Sequence, residues 1–112
     1  MKFDKELMRG STNMIVLSLL QEENMYGYQM IKKLLQKSNN VFELQEGTLY
    51  PILHGLEAKK LIKSYWDETT GKRRKYYCIT KKGKNCLEFK KNEWLNFSKG
   101  INQIIGGELF GC

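Results

Sequence analysis

The sequence predicts a mainly α-helical fold with one β-hairpin, in the order helix, helix, helix, strand, strand, long helix. Two strand-like runs, residues 61–66 and 76–80, are joined by polar residues that include Gly71, which is typical of a β-hairpin. Three stretches of helical apolar spacing precede this hairpin, and one long stretch follows it. This order is that of a winged helix-turn-helix with a long C-terminal helix added.

The first helix is predicted over about residues 4–20, with Asp4 as its N-cap. Leu7, Met14 and Leu17 lie at helical spacing, and further apolar residues widen this face. A helix that is apolar over so much of its circumference is buried on more than one side, which indicates a partner chain.

The second helix is predicted to follow a polar loop over residues 21–25, to start near Tyr26 and to end at the breaker cluster 38–40. The connector 41–45 could supply one short strand. The predicted inner face of the helix consists of Tyr28, Ile31, Leu34 and Leu35.

The third helix is predicted over about residues 46–60, with Pro51 in its first turn, where a missing N–H does little harm. Its core stripe consists of Leu49, Ile52, Leu53 and Leu56. Its outward positions include Thr48, Tyr50, His54 and Lys59.

The final helix is predicted to begin after Thr80, a good N-cap, and to end at Gly106. Its apolar residues recur at intervals of seven, which is typical of a helix that pairs with another helix. No later element is available to cover this stripe, so a second copy of the chain is the simplest partner. The predicted dimer interface consists of Leu7, Met14, Leu87, Trp94, Phe97, Ile101 and Ile104. Residues 1–80 would form the winged helix-turn-helix domain, and residues 81–112 the dimerisation helix, which forms a single compact unit with the first helix.

Charge is concentrated around the hairpin. The 112-residue chain has a net charge of +7, but residues 59–91 hold twelve Lys and Arg and three acids, which gives +9 there and −2 elsewhere. A basic block at a hairpin tip beside a helix-turn-helix favours duplex DNA as the partner. A solvated charge run that only keeps a small protein soluble is the alternative.

Several other classes are disfavoured. Three cysteines without CxxC spacing and one histidine, His54, predict neither a metal site nor a disulfide framework. No apolar run approaches a membrane span, and the start of the chain does not look like a signal peptide, so a cytoplasmic protein is expected. Without a nucleophile–base pair or a phosphate-binding glycine loop, neither an enzyme nor a cofactor is predicted.

The predicted DNA contacts lie on the third helix and the hairpin. The third helix would enter the major groove, and the hairpin would meet phosphates or the minor groove. Thr48 could instead be a helix cap, and Tyr50 could pack against the second helix. Of Tyr76 and Tyr77, one would be core and the other a phosphate donor. The predicted DNA-binding set is Thr48, Tyr50, His54, Lys72, Arg73, Arg74, Lys75 and Tyr77.

The chain resembles the PadR family of bacterial transcriptional regulators over about residues 7–88. The matching motifs, in order, are YGY at 26–28, GTLYPIL at 47–53, LE at 56–57, LIKSYW at 61–66, GKRRKYY at 71–77 and ITKKG at 79–83. The single final helix is similar to the short subfamily, which forms dimers through that helix and the first one. The resemblance therefore implies a dimeric DNA-binding regulator. A dimer would place its two third helices about one helical turn apart, so a near-palindromic operator is predicted. Without an activation surface, repression is the expected effect.

The resemblance extends to multidrug-sensing members, in which two tryptophans of the last helices face each other across a flat pore. Trp94 matches that position, so the resemblance implies a planar aromatic effector at the dimer interface. At Lys90 and Lys91 those relatives carry small or aromatic residues, and the two lysines would favour neutral or anionic aromatics. The implied effector set is Asn13, Met14, Leu17, Leu87, Lys90, Trp94, Phe97 and Ser98. From the residues alone, Trp94 is more typical of dimer core, and only the resemblance makes an effector contact an equal alternative.

A protein-interaction adaptor built on the same winged helix, without effector binding, is the alternative function, because a fold does not fix a function. The basic hairpin argues against it, since an adaptor has no use for four cations at a hairpin tip.

Overall fold

The computed structural model describes residues 10–106. Within this range the chain forms α1 (Thr12–Glu22), β1 (Met25–Tyr26), α2 (Gly27–Lys37), α3 (Glu46–Ala58), β2 (Ile62–Asp67), β3 (Arg74–Ile79) and α4 (Lys81–Ile105). The three strands make one antiparallel sheet in the order β1-β3-β2. The predicted winged helix-turn-helix with a long C-terminal helix is confirmed.

The helical core lies between α1, α2, α3 and one face of the sheet. The buried side chains of α1 include Val16, Leu17 and Leu20, and those of α3 include Leu49 and Leu53. The predicted core stripe of α3 is therefore confirmed, with Ile52 half-buried at its edge. Because this face of α3 is buried, the opposite face of the helix is exposed to solvent.

The third strand of the sheet spans the last residue of the predicted polar loop and the predicted start of the second helix. Met25 and Tyr26 pair with Tyr77 and Tyr76 of β3, and Met25 is fully buried. The connector 41–45, predicted as the source of a short strand, forms none. Burial of Met25 against the core explains why the chain forms its extra strand there.

Three predictions about the helices need correction. α1 begins at Thr12 after a turn at Gly10 and Ser11, and not as one helix over 4–20; Asp4 lies outside the described residues. Pro51 is the sixth residue of α3 and lies in its second turn. Tyr28, predicted on the inner face of α2, is 54% exposed, because Gly27 and Met30 occupy that face instead.

The ends of α2 and α4 follow the predicted signals. Asn39 and Asn40, just beyond α2, have positive φ angles of 52° and 67°, a conformation that Asn tolerates. Thr80 caps α4, since its hydroxyl accepts the N–H of Gly83 at 3.0 Å. Gly106 ends α4 with a φ of 104°.

The hairpin, the third helix and the long helix are joined closely to one another. Ser64 of β2 donates its hydroxyl to Glu57 of α3 at 2.7 Å. The Thr80 hydroxyl donates to the carbonyl of Lys60 at 2.8 Å, and the Thr80 N–H bonds the carbonyl of Leu61. These bonds fix the positions of β2 and the start of α4 relative to the end of α3.

Candidate nucleic-acid interface

The outward face of α3 is polar and accessible. Thr48, Tyr50 and His54 are exposed, as predicted, because the buried leucines of the same helix point the other way. The N-cap of α3 is Gln45, so Thr48 does not cap this helix. Its hydroxyl is thus presented on the first turn of a helix whose face is open to a partner.

Tyr50 combines the two roles that the sequence left open. It is 36% exposed, yet its ring lies against Gly27 at the start of α2. A Cβ atom on Gly27 would fall 2.5 Å from the Tyr50 hydroxyl oxygen, so only glycine admits this approach. Tyr50 therefore packs against α2 and still reaches the surface.

The four consecutive cations divide between the hairpin loop and its second strand. Lys72 and Arg73 lie in the loop, after Gly71 with its φ of 89°, and Arg74 and Lys75 begin β3. Because side chains alternate along a strand, Arg74 and Lys75 lie on opposite faces of the hairpin. The hairpin thus presents positive charge at its tip and on both faces.

Aromatic rings lie beneath these cations. The guanidinium carbon of Arg73 is 4.2 Å from the centroid of the Trp66 ring, and that of Arg74 is 4.6 Å from the Tyr26 ring. Lys75 Nζ lies 5.8 Å from the ring of Tyr77. Such contacts orient a cation without neutralising it, so the charge stays available to an anion.

Two acidic groups also lie on the hairpin. Glu68 Oε1 is 3.7 Å from Arg73 Nε in an exposed, weak ion pair. Hydrogen bonds from the hydroxyl and N–H of Thr69 hold the pKa of the Asp67 carboxyl below its ordinary value. Asp67 is therefore ionised at neutral pH and shapes the loop through its bond to the Thr69 N–H.

Tyr77 does not fit the predicted DNA contact. It is 2% exposed, and its burial raises the pKa of its phenol. Tyr76, its neighbour, is half-buried on the other face, where its ring stacks on Tyr65 at 5.7 Å and meets Tyr26 edge-on at 5.4 Å. The pair is thus split between faces as predicted, but Tyr77 is the core member, because it pairs with buried Met25.

A groove of about 350 Å³ separates the hairpin from the starts of α2 and α3. Sequence reasoning missed two exposed members, Tyr28 and Trp66, which are 54% and 55% exposed. Trp66 could have been predicted from the sequence, because a large aromatic residue next to a basic hairpin tip favours contact with DNA. The lining residues are Tyr26, Gly27, Tyr28, Tyr50, Trp66, Arg74, Lys75 and Tyr77.

A second concavity, of about 480 Å³, lies between the start of α1 and the middle of α4. It brings together four of the eight residues predicted for an effector. Glu93, Gly10 and Ser11 join them, and sequence reasoning had not included these three. The lining residues are Gly10, Ser11, Met14, Lys90, Glu93, Trp94 and Phe97.

The other predicted effector residues do not line this cavity. Leu17 and Leu87 have no exposed surface, so they belong to the core of one protomer and are wrong as effector contacts. The same burial removes Leu87 from the predicted dimer interface. Asn13 is half-buried, and the hydroxyl of Ser98 donates to the Leu95 carbonyl at 3.2 Å.

The outer half of α4 carries an exposed apolar stripe. Trp94 and Ile101 are 44% and 41% exposed, and Phe97 and Ile104 are 62% and 83% exposed. Trp94 and Phe97 contact each other, with ring centroids 6.4 Å apart. Leu7, predicted in the same interface, lies outside the described residues.

Residues 10–106 have neither a metal-binding cluster nor a membrane-spanning helix. No three His, Cys, Asp or Glu residues in this range are grouped so that they could hold a metal ion. None of the helices in this part of the chain has the length and apolar character needed to cross a membrane.

An exposed polar helix face beside a basic β-hairpin defines a winged-helix protein of the DNA-binding class. Residues 16–89 match the Transcriptional regulator PadR-like family, and the chain belongs to this family. It is therefore a DNA-binding transcriptional regulator and not an enzyme, as predicted.

Individual relatives are similar to this chain over most of its length. A transcriptional regulator from Clostridium thermocellum is 38% identical, with a TM-score of 0.82 over 88% of this chain and 97% of its own. A PadR-like transcriptional regulator from Bacillus cereus is 31% identical, with a TM-score of 0.81 over 93% and 100%. An uncharacterised protein of Lysinibacillus sphaericus is 35% identical over 91% of this chain and 94% of its own.

Proposed function

We propose that this regulator is a homodimeric repressor that works in the cytoplasm and binds a near-palindromic operator through α3 and the basic hairpin. The observation that carries the proposal is the juxtaposition of an open polar face on α3 with cations at the hairpin tip. Residues 1–80 would be the DNA-binding unit and residues 81–112 the dimerisation segment. Occupation of a promoter by such a compact dimer would exclude polymerase, which is why repression is proposed.

Each α3 would lie in the major groove, where Thr48, Tyr50 and His54 face the bases or the adjacent backbone. Arg73 and Arg74 would contact phosphates or enter the minor groove on the flank. Two such units related by a two-fold axis would read half-sites about one helical turn apart, roughly 34 Å. The near-palindromic operator follows from this symmetry.

The dimer would form through the outer half of α4. Trp94, Phe97, Ile101 and Ile104 make a continuous apolar surface at heptad spacing, which is the pattern of a helix that packs against another helix. Burial of these four large side chains by a second copy would remove an exposed apolar patch that water disfavours.

The cavity beside Trp94 supports a planar aromatic effector. The indole of Trp94 and the ring of Phe97 offer a flat apolar contact. The same cavity is lined by one cation, Lys90, and one anion, Glu93. Lys91 is directed to Glu88, at 3.7 Å, and does not line the cavity. An effector that binds one spacing of the two α4 helices better than another would change DNA affinity.

DNA binding through the hairpin is tested with the double variant Arg73→Ala/Arg74→Ala and a matched control, Lys99→Ala, on the outer part of α4. If the dimer uses six phosphate contacts, the logarithm of the wild-type affinity should fall with the logarithm of salt with a slope of about −5. The double variant should lose affinity and show a slope shallower by about three to four, since four contacts disappear from the dimer.

The control should keep the wild-type slope. An unchanged slope in the double variant would remove the hairpin from the interface. Affinity is measured with a labelled duplex over a series of salt concentrations, and thermal unfolding of each variant establishes that the fold persists.

Effector binding is tested by quenching of tryptophan fluorescence with a phenolic acid and with riboflavin. Both Trp66 and Trp94 report in the wild type, so Trp94→Ala isolates the signal of Trp66. Saturable quenching that disappears in Trp94→Ala would support the effector site. Equal quenching in both proteins would contradict it.

A further inference from the structure

Trp66 lies on the side of the hairpin that faces α3. Its cross-strand partner is Lys75, and the next pair on that face of the sheet joins Ser64 to the buried Tyr77. Trp66 also lines the groove that it shares with Tyr50 of α3. The indole is 55% exposed, so more than half of a large apolar side chain stands at the surface between hairpin and helix.

Stacking on Trp66 orients the guanidinium of Arg73 but does not neutralise its charge. The guanidinium of Arg73 lies 4.2 Å from the indole centroid, and Glu68, its acidic partner, is 3.7 Å away with a side chain 70% exposed. A stacked guanidinium keeps the N–H groups at its edge free for planar contacts, and an exposed ion pair at this distance is weak. A phosphate could therefore replace Glu68 while the stack remains.

We propose that Trp66 is a positioning residue for DNA binding, whose indole holds the Arg73 guanidinium beside the groove where this cation binds a phosphate of the duplex. A long side chain on a hairpin loop loses rotamer entropy when it binds. Stacking in the free protein lowers that loss, because the side chain is already ordered. The inference rests on the proposed use of the hairpin in DNA binding.

A double-mutant cycle tests the coupling between the two side chains in the full-length protein. The probe is a dye-labelled duplex of mixed sequence, about 30 bp or three helical turns long, followed by fluorescence anisotropy at low salt. Trp66→Ala should weaken binding of the proposed dimer about five- to thirtyfold, because each of its two protomers loses an exposed cation–π contact that is worth about two- to fivefold. In the Arg73→Ala background the same change should have no further effect.

Two more substitutions separate stacking from bulk. Trp66→Phe keeps an aromatic face and should bind within about twofold of the wild type, whereas Trp66→Leu keeps an apolar side chain without that face and should resemble Trp66→Ala. This comparison remains informative if Trp66→Ala is unstable to thermal unfolding.

The outcomes distinguish the failure of each proposal. If Arg73→Ala leaves affinity unchanged, the use of Arg73 in DNA binding fails first, and the inference on Trp66 fails with it. If Arg73→Ala weakens binding but Trp66→Leu does not, only the inference is overturned. An equal loss from Trp66→Ala with and without Arg73 would also overturn it, because the indole would then act independently of the cation.

Discussion

Gly27 and Tyr50 meet where α2 begins and where α3 faces outward. The absence of a side chain at Gly27 lets the Tyr50 ring lie directly on the backbone of α2. Because Tyr50 is 36% exposed, the same ring borders the groove beside the hairpin. A residue with no chemical function of its own thus sets the position of a proposed DNA contact.

The first prediction concerns Gly27→Ala. The added Cβ would lie 2.5 Å from the Tyr50 hydroxyl oxygen and 2.9 Å from Cζ, and the half-exposed ring can relieve this clash by moving outward. The cost in unfolding free energy should stay near the lower end of overpacking, about 1 kcal/mol. DNA affinity should fall several-fold in an anisotropy titration, because Tyr50 leaves its position.

The control for this prediction is the Tyr50→Ala background, in which Gly27→Ala should no longer change DNA affinity. A loss of the same size in both backgrounds would mean that Gly27 affects binding by another route.

Adjacent tyrosines show what sequence can decide at the scale of single residues. Alternation along a strand predicts that Tyr76 and Tyr77 point to opposite faces, and this is confirmed. Which of the two is buried depends on the pairing of β3 with Met25 and Ser64. Sequence could not decide that Tyr77 is the buried member, with little surface for the predicted DNA contact, because that register is a tertiary feature.

The start of α4 is the most tightly packed junction between elements that the described glycines reveal. A Cβ atom on Gly83 would fall 2.0 Å from the carbonyl oxygen of Leu61 and 2.8 Å from a carbon of Ile79. A backbone carbonyl cannot swing aside as a side chain does. The glycine therefore permits α4 to lie directly on the start of β2.

The second prediction compares Gly83→Ala with Gly100→Ala, both in α4. Gly83→Ala should lower the free energy of unfolding by about 1–3 kcal/mol or more, because helix and strand must separate. Gly100 has nothing within 4 Å of its added Cβ, so Gly100→Ala should raise it by about 0.5–1 kcal/mol through helix propensity. Denaturant unfolding at one protein concentration measures both; a Gly83→Ala protein as stable as the wild type would contradict the packing.

Helices and the hairpin could be predicted from sequence, because their signals are local. The apolar spacing of α3, the Thr80 cap and the Gly71 turn each depend on residues close in the chain. The strand β1 could not be predicted, because a run of two residues is too short to show periodicity. Met25 and Tyr26 form a strand only because they pair with β3. Pro51 was assigned to the first turn by its usual preference, but it lies one turn further in.

At the scale of the whole molecule, α4 changes its role along its length. Leu87 is fully buried within the protomer, whereas Ile104, further along the same stripe, is 83% exposed. A heptad pattern reports which residues share a face, but not whether that face meets the same chain or another. This is why the heptad pattern placed Leu87 in the dimer interface, although its side chain is buried within the protomer.

The third prediction tests the dimer with Ile101→Glu, on the apolar stripe, against Phe89→Glu, on a different face of α4. Both side chains are exposed, at 41% and 70%, so neither change removes core packing. Ile101→Glu should produce monomers at micromolar concentration in sedimentation velocity, because it would bury a charge in the proposed interface. Phe89→Glu should remain dimeric; dissociation of both variants, or of neither, would count against this interface.

A single residue, Thr80, lies between β3 and α4, and its hydroxyl donates a hydrogen bond to the carbonyl of Lys60, just after α3. In a dimer, any rotation of one α4 against the other would therefore also move α3 and the hairpin of each protomer. Substitutions near the far end of α4, remote from every nucleotide, should then change which half-site separation is preferred while affinity for one isolated half-site stays constant.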